Sequence, residues 1–90
     1  MNIKDDVRSF VIDTFLFGED DGLNDDSSFL AEGIVDSTGI MQLVSFLQER
    51  YRVSIEDEEL IPDNLDSIMR VATFIEEKMR ALKLESGISA

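Results

Sequence analysis

The sequence predicts one all-α domain, a four-helix bundle of three long helices, one short third helix and a long first loop. Apolar residues recur at helical spacing in three separate stretches of the chain. Turn-forming residues separate the first two of these stretches over residues 19–35. A chain of 90 residues has room for only one hydrophobic core. We therefore expect a small four-helix bundle.

The first helix is predicted from Ile3 to about Phe15. Its apolar face consists of Ile3, Val7, Phe10, Val11 and Phe15. Gly18 is expected to close the helix, with Phe17 still packed on the core. An EF-hand calcium loop after this helix is excluded, because aligning Gly22 with the motif's glycine places Phe17 and Ser28 at ligand positions.

The long first loop contains apolar residues that we expect to pin it onto the bundle. They are Leu23, Phe29, Leu30, Ile34 and Val35. The second helix is predicted from Ser37 to Tyr51. Its buried stripe is formed by Ile40, Leu43, Val44, Leu47 and Tyr51. Its outer face carries Thr38, Met41, Gln42, Ser45, Gln48, Glu49 and Arg52.

The third helix is predicted to be short, capped by Ser54 and Asp57 and ending near Leu60, because Pro62 prevents its continuation. Asp66 or Ser67 then caps the last helix, whose apolar pattern runs to about residue 83. Its buried face is expected to consist of Ile68, Val71, Ala72, Ile75, Met79 and Leu82. We therefore expect a domain over residues 1–83 and a flexible tail over residues 84–90, where no pattern remains.

The composition excludes several classes of function. The 20 acidic and 8 basic residues give a net charge of -12, which disfavours nucleic acid and anionic membranes and favours basic partners and a monomer. The absence of cysteine and histidine removes thiolate nucleophiles, the Ser-His-Asp arrangement and nearly all zinc sites, so we expect no catalytic activity. No stretch is apolar and long enough for a signal peptide or membrane span, which predicts a cytoplasmic protein.

Asp36 and Ser37 stand where the second helix begins. Both are preferred helix caps, and capping alone accounts for such a pair. A serine at a helix start is also well placed to carry a phosphate, because free N–H groups and the helix dipole stabilise an anion there. Asp36 would repel that phosphate unless a divalent cation bridges the two. The neighbouring outer face is uncharged, which suits a contact surface; it consists of Thr38, Met41, Gln42 and Ser45.

Over about residues 3–82, the chain resembles the acyl carrier proteins. The resemblance rests on Asp36-Ser37, on Phe29, on Leu43-Val44 and on the block from Val53 to Ile68. It implies that Ser37 carries 4′-phosphopantetheine, transferred from coenzyme A by a phosphopantetheinyl transferase, and that the arm's thiol holds an acyl or aminoacyl group as a thioester.

The resemblance also implies roles for residues around Ser37. Asp36 would help to bind magnesium during the modification, with no stable metal site. The partner-docking surface would consist of Asp36, Thr38, Met41, Gln42, Ser45 and Ile61. Apolar residues between the second and last helices would shelter a bound chain. Expected partners are the transferase, a loading ligase and downstream transferases.

One stretch departs from the pattern of fatty-acid synthesis carriers, which resembles Asp-Ser-Leu-Asp-x-Val-Glu. Thr38, Gly39 and Gln42 replace its leucine and acidic positions, and the run from Gly33 to Leu43 looks similar to D-alanyl carrier proteins. This favours a carrier for a dedicated pathway and predicts that acids at Gly39 and Gln42 would improve recognition by fatty-acid enzymes. A D-alanyl carrier, or a plain acidic interaction module indifferent to Ser37, remain alternatives.

Overall fold

The computed structural model describes residues 2–19 and 22–89, with side chains described through residue 83. Four α-helices follow one another: α1 Ile3–Phe15, α2 Ser37–Tyr51, α3 Pro62–Leu65 and α4 Ile68–Ser89. Within these described ranges there is no β-strand. The predicted all-α class, with three long helices, one short helix and a long first loop, is confirmed.

The α4 helix continues beyond the predicted end of the domain at residue 83 and reaches Ser89. The side chains after residue 83, and all of Ala90, lie outside the described residues. The flexible tail over residues 84–90 therefore stays a prediction.

The hydrophobic core lies between the inner faces of α1, α2 and α4. Its most buried members include Val7, Val11, Leu43, Leu47, Ile68, Val71 and Ile75. All of them fall on the predicted apolar faces, because residues three or four apart share one side of a helix. The expected burial of Leu82 on the same face of α4 is wrong, since its side chain is 45% exposed. The core thus follows directly from the sequence pattern.

Helices α1 and α2 run antiparallel, and three contacts along them establish this. The Tyr51 hydroxyl donates to Asp6 Oδ2 at 2.7 Å, joining the start of α1 to the end of α2. Halfway along, the rings of Phe10 and Phe46 stack with centroids 4.3 Å apart. At the other end, the Phe15 ring lies against Gly39. The end of α1 therefore lies beside the start of α2.

The long first loop is ordered against α3 and α4 through Phe29 and Asp66. Phe29 is completely buried, and its N–H donates to the Asp66 carbonyl at 2.8 Å. The Asp66 carboxylate accepts from Ser28 Oγ at 2.5 Å and from the Leu30 N–H at 3.0 Å. The pinning prediction is confirmed for buried Phe29, Leu23 and Val35, whereas Leu30 is 48% exposed.

The predicted position of the third helix is wrong. Residues Asp57–Glu59 form only a single 3₁₀ turn, and α3 begins at Pro62. Proline fits the first position of a helix, because its missing N–H has no intrahelical partner there. Pro62 thus starts the short helix that it was expected to end. Ser67, and not Asp66, caps α4, since Ser67 Oγ accepts from the Arg70 N–H at 3.1 Å.

The expected burial of Phe17 is also wrong, because its side chain is 90% exposed. The backbone enters the left-handed region at both Phe17 (φ 54°) and Gly18 (φ 85°). The Glu19 N–H donates to the Leu16 carbonyl at 3.0 Å, which closes a four-residue turn. The left-handed backbone therefore begins at Phe17, one residue before the glycine that was expected to end the helix. As a result the Phe17 side chain lies in solvent and does not pack on the core.

Candidate attachment site and docking surface

Asp36 is the N-cap of α2, and Ser37 is its first helical residue. The Asp36 backbone is extended, and its Oδ1 accepts from the Gly39 N–H at 2.7 Å. A carboxylate cap of this kind satisfies one of the unpaired donors of the first turn. Ser37 is exposed and is not the capping residue. Its hydroxyl is therefore accessible at the helix start without being needed to form it.

The chain entering α2 is held by a small set of backbone bonds. The N–H groups of Ile34 and Val35 both donate to the Phe29 carbonyl, at 2.9 and 3.3 Å. Gly33 turns the chain with a φ of 69°, a conformation that glycine adopts without steric cost. Val35 is buried next to the start of the helix. The position of Ser37 is thus fixed by the core through Phe29 and Val35.

Gly39 is buried and is not part of the exposed side of α2 that is expected to dock partners. A Cβ atom at this position would lie 2.8 Å from Phe15 Cε1 and 3.0 Å from Val35 Cγ1. Both distances are shorter than normal carbon–carbon contacts. An acid at position 39 would have to displace these side chains, and the expected improvement in recognition by fatty-acid enzymes stays a prediction. A glycine within an otherwise helical pattern was the available sign of this close packing.

The remaining residues of the expected docking surface are accessible. Thr38, Met41, Gln42 and Ser45 are all exposed along one side of α2. Met41 is the most apolar of them and is 53% exposed. Ile61, just before α3, is also exposed. Their role in docking stays a prediction, but their side chains lie where a partner could touch them.

A small apolar hollow lies between α2 and α3. Its volume is about 70 Å³, and it is lined by Leu30, Ile40, Leu60, Ile61, Pro62, Leu65 and Asp66. Ile40 belongs to the turn of α2 that follows Ser37. Leu43, Leu47 and Ile75, which lie between α2 and α4, are fully buried. The shelter that these apolar residues would give to a bound chain stays a prediction.

The Ser37 end of the bundle is acidic. Between Arg8 and Arg50 the sequence contains no lysine or arginine, and several of its acidic residues belong to the end of α1 and to the loop that leads to Ser37. Of these, Asp13, Glu19, Glu32 and Asp36 are exposed. The negative charge of this end should attract a basic surface at a rate that falls as salt rises.

The opposite end of α2 holds a polar network around Asp6. The hydrogen bond from the Tyr51 hydroxyl, together with Arg50, lowers the pKa of the Asp6 carboxyl below its ordinary value. Burial and the neighbouring carboxylate raise the pKa of Tyr51. Both shifts favour the form present near neutral pH, in which a carboxylate accepts from a neutral phenol.

The architecture is that of a small helical carrier domain, with an accessible hydroxyl at the start of the second helix. The probable acyl carrier protein PigG of Serratia sp. (strain ATCC 39006) is 36% identical over 73 residues, which covers 81% of this chain and 83% of that protein. No family model matches the chain. The similarity to PigG is nevertheless close and extensive enough to show the family of this chain. The chain belongs to the acyl carrier protein family.

A solved structure has the same fold. It is described as "Crystal structure of FAD-dependent dehydrogenase", and its matching chain has a TM-score of 0.69 and 26% sequence identity. The match covers 77% of this chain and 97% of that chain.

In the described part of this protein, no helix is apolar and long enough to cross a membrane.

Proposed function

We propose that this protein carries an acyl or aminoacyl group as a thioester on a 4′-phosphopantetheine arm attached to Ser37. The observation that carries the proposal is the exposed Ser37 hydroxyl at the first position of α2, with Asp36 and not Ser37 acting as cap. Because the cap is a separate residue, Ser37 can be modified without the helix losing its start.

The start of α2 fits a phosphodiester on Ser37. The first intrahelical bond runs from the Ile40 N–H to the Asp36 carbonyl at 2.9 Å. The N–H groups of Ser37 and Thr38 precede it and have no carbonyl one turn back. These donors and the positive end of the helix dipole stabilise an anion at this point. The arm's phosphate therefore has a suitable environment in this chain's own backbone.

The attachment replaces a phosphoanhydride bond of coenzyme A with a phosphodiester on Ser37, and the nucleotide half of coenzyme A leaves with its own phosphates. The Ser37 oxygen bonds to the phosphorus that bears the pantetheine, the bond from that phosphorus to the nucleotide half of coenzyme A breaks, and the serine proton passes to a base of the transferase. Magnesium would lower the repulsion between Asp36 and the incoming phosphates. No cluster of three or more potential ligands occurs among the described residues, so most magnesium ligands would come from coenzyme A and the transferase.

The arm supplies the thiol that this chain lacks, since the sequence contains no cysteine. The protein itself holds and presents the arm, while a loading ligase and downstream enzymes perform the chemistry. The uncharged Thr38 and Gln42 on the docking face support a dedicated pathway over general fatty-acid synthesis. D-alanine stays among the candidate cargoes because of the sequence run around Ser37. We place these partners in the cytoplasm.

A flavin-dependent dehydrogenase is a further candidate partner. The support is the description of the structurally similar chain as part of an FAD-dependent dehydrogenase structure. Such an enzyme would transfer two hydrogen atoms from the carried group to its flavin, which is thereby reduced. Incubating the loaded carrier with candidate dehydrogenases should lower the mass of the cargo by two hydrogens, and a cargo mass unchanged with every candidate would count against this partner.

The carrier proposal is tested by mass spectrometry. The protein is incubated with coenzyme A, magnesium and a promiscuous phosphopantetheinyl transferase. Wild-type protein should gain the mass of one phosphopantetheine, and Ser37→Ala should gain none while unfolding within about 0.5 kcal/mol of wild type, because Ser37 is exposed and is not the cap. Unmodified wild-type protein with several transferases would contradict the proposal.

A further inference from the structure

Phe17 is an exposed aromatic side chain held in an unfavourable backbone conformation. It is 90% exposed, more than any other large apolar side chain of the described residues. Its φ of 54° lies in the left-handed region, which is costly for a residue with a large side chain. Neither burial nor backbone preference explains a phenylalanine at this position.

The turn around Phe17 calls for a different residue. Phe17 and Gly18 are the two central residues of the turn closed by the Glu19 N–H and the Leu16 carbonyl, and both have positive φ. Glycine, asparagine and aspartate are favoured in turns of this type. Strained residues of this kind concentrate at functional sites, where the strain is retained for a reason other than stability.

Phe17 lies at the Ser37 end of the bundle. The Phe15 ring lies against Gly39, in the first turn of α2, and Phe17 follows Phe15 by two residues. An enzyme that brings its active site to Ser37 must cover this end of the molecule. An aromatic side chain exposed here is placed at the edge of that contact.

The charge around Phe17 specifies what the partner surface offers. Asp13 and Glu19 on either side are exposed, and the last turn of α1 contains no basic residue. The negative end of the α1 dipole adds to the same charge. A complementary surface therefore combines an apolar pocket for the ring with a basic rim.

We propose that Phe17 is an aromatic anchor for the phosphopantetheinyl transferase, inserted into an apolar pocket with a basic rim while Ser37 enters the active site. The proposal rests on the proposed attachment at Ser37. The transferase is the chosen occupant because it must reach Ser37 whatever the cargo. Aromatic residues are the commonest anchors of such interfaces, since a few buried side chains provide most of the affinity.

Steady-state modification kinetics of Phe17→Asn test the proposal. The variant should raise KM for the carrier about ten-fold, corresponding to the loss of one anchor, and leave kcat within about two-fold. Its melting temperature should equal or exceed that of wild type, because asparagine suits the turn better than phenylalanine. A purely structural role for Phe17 would instead lower the melting temperature and leave KM unchanged.

Leu82→Gln is the matched control, because Leu82 is also an exposed apolar residue. It lies on the second half of α4, which is near the start of α1 and away from Ser37. Its KM should stay within about two-fold of wild type. If wild-type protein is modified normally and Phe17→Asn has an unchanged KM, the anchor is wrong and the attachment at Ser37 stands. If wild-type protein accepts no arm, the attachment itself fails.

Discussion

The two ends of α2 are held in different ways. At its C-terminal end, Tyr51 is buried and its hydroxyl donates to Asp6 at 2.7 Å, while Arg50 approaches the same carboxylate oxygen at 3.3 Å. At its N-terminal end, Ser37 is exposed and its surroundings are fixed by backbone bonds, by the Asp36 cap and by the Phe15 ring against Gly39. Side-chain polar groups thus hold the far end, and the serine end stays accessible to a partner.

The largest effect in this comparison is expected from Phe29→Ala, which removes the buried anchor of the loop leading to Ser37. Loss of a fully buried phenylalanine should lower the free energy of unfolding by about 3–5 kcal/mol, measured by urea denaturation. Leu30→Ala is the control, because Leu30 is half-exposed, and it should cost about 1 kcal/mol or less. Equal losses for the two variants would mean that Phe29 does not anchor the loop.

The next effect concerns the packing behind Ser37. Gly39→Asp forces atoms into the Phe15 and Val35 side chains and buries a carboxylate, so it should lower the free energy of unfolding by about 2 kcal/mol or more. Urea denaturation measures this loss.

The control for Gly39→Asp is Gln42→Glu, an acid placed on the exposed face of the same helix. It should change stability by no more than about 0.5 kcal/mol and raise the efficiency of fatty-acid enzymes a few-fold, if the missing acids set partner choice. A stable Gly39→Asp variant that also gains recognition would overturn the assignment of Gly39 to the interior.

The smallest effect is expected at the far end. Tyr51→Phe removes the hydroxyl that donates to Asp6 and should cost about 1–2 kcal/mol, while the rate of modification at Ser37 stays unchanged. The pKa of Asp6 is lowered in the fold mainly by this hydroxyl. Its stabilisation is therefore fully present above the ordinary carboxylate pKa of about 4 and is lost as pH falls through the lowered value.

Acid unfolding curves of the two proteins check the sign of this effect. The stability difference between wild type and Tyr51→Phe should be largest near neutral pH and should shrink as the solution is acidified towards pH 2. A difference that is independent of pH would mean that the Asp6 carboxylate is not the group that Tyr51 stabilises.

The helix pattern predicts most of this fold because burial of one face is a local, periodic property. The bounds of α2 and the buried residues Leu43, Leu47 and Tyr51 match the structure. The errors lie where tertiary contacts override local preference. Pro62 starts a helix because the preceding 3₁₀ turn places it at the first helical position. A salt bridge holds that turn against α4, with Lys78 Nζ 2.8 Å from Glu59 Oε1.

The candidate site was predictable in its residue types but not in its packing. Asp and Ser are both preferred at helix starts, so the pair predicts one here. The choice of Asp36 as cap depends on an extended backbone that Phe29 and Val35 impose. The burial of Gly39 depends on a ring from another helix, and the exposure of Phe17 depends on where α1 ends. Contacts between distant segments of this kind leave no periodic signal in the sequence.

The central claim, that Ser37 receives the arm, is tested most directly by fragment mass spectrometry of the protein after reaction with coenzyme A, magnesium and a transferase. The account predicts a single phosphopantetheine on Ser37, unchanged modification of Thr38→Val and none of Ser37→Ala. An arm found on Thr38 or another residue, or full modification of Ser37→Ala, would contradict it.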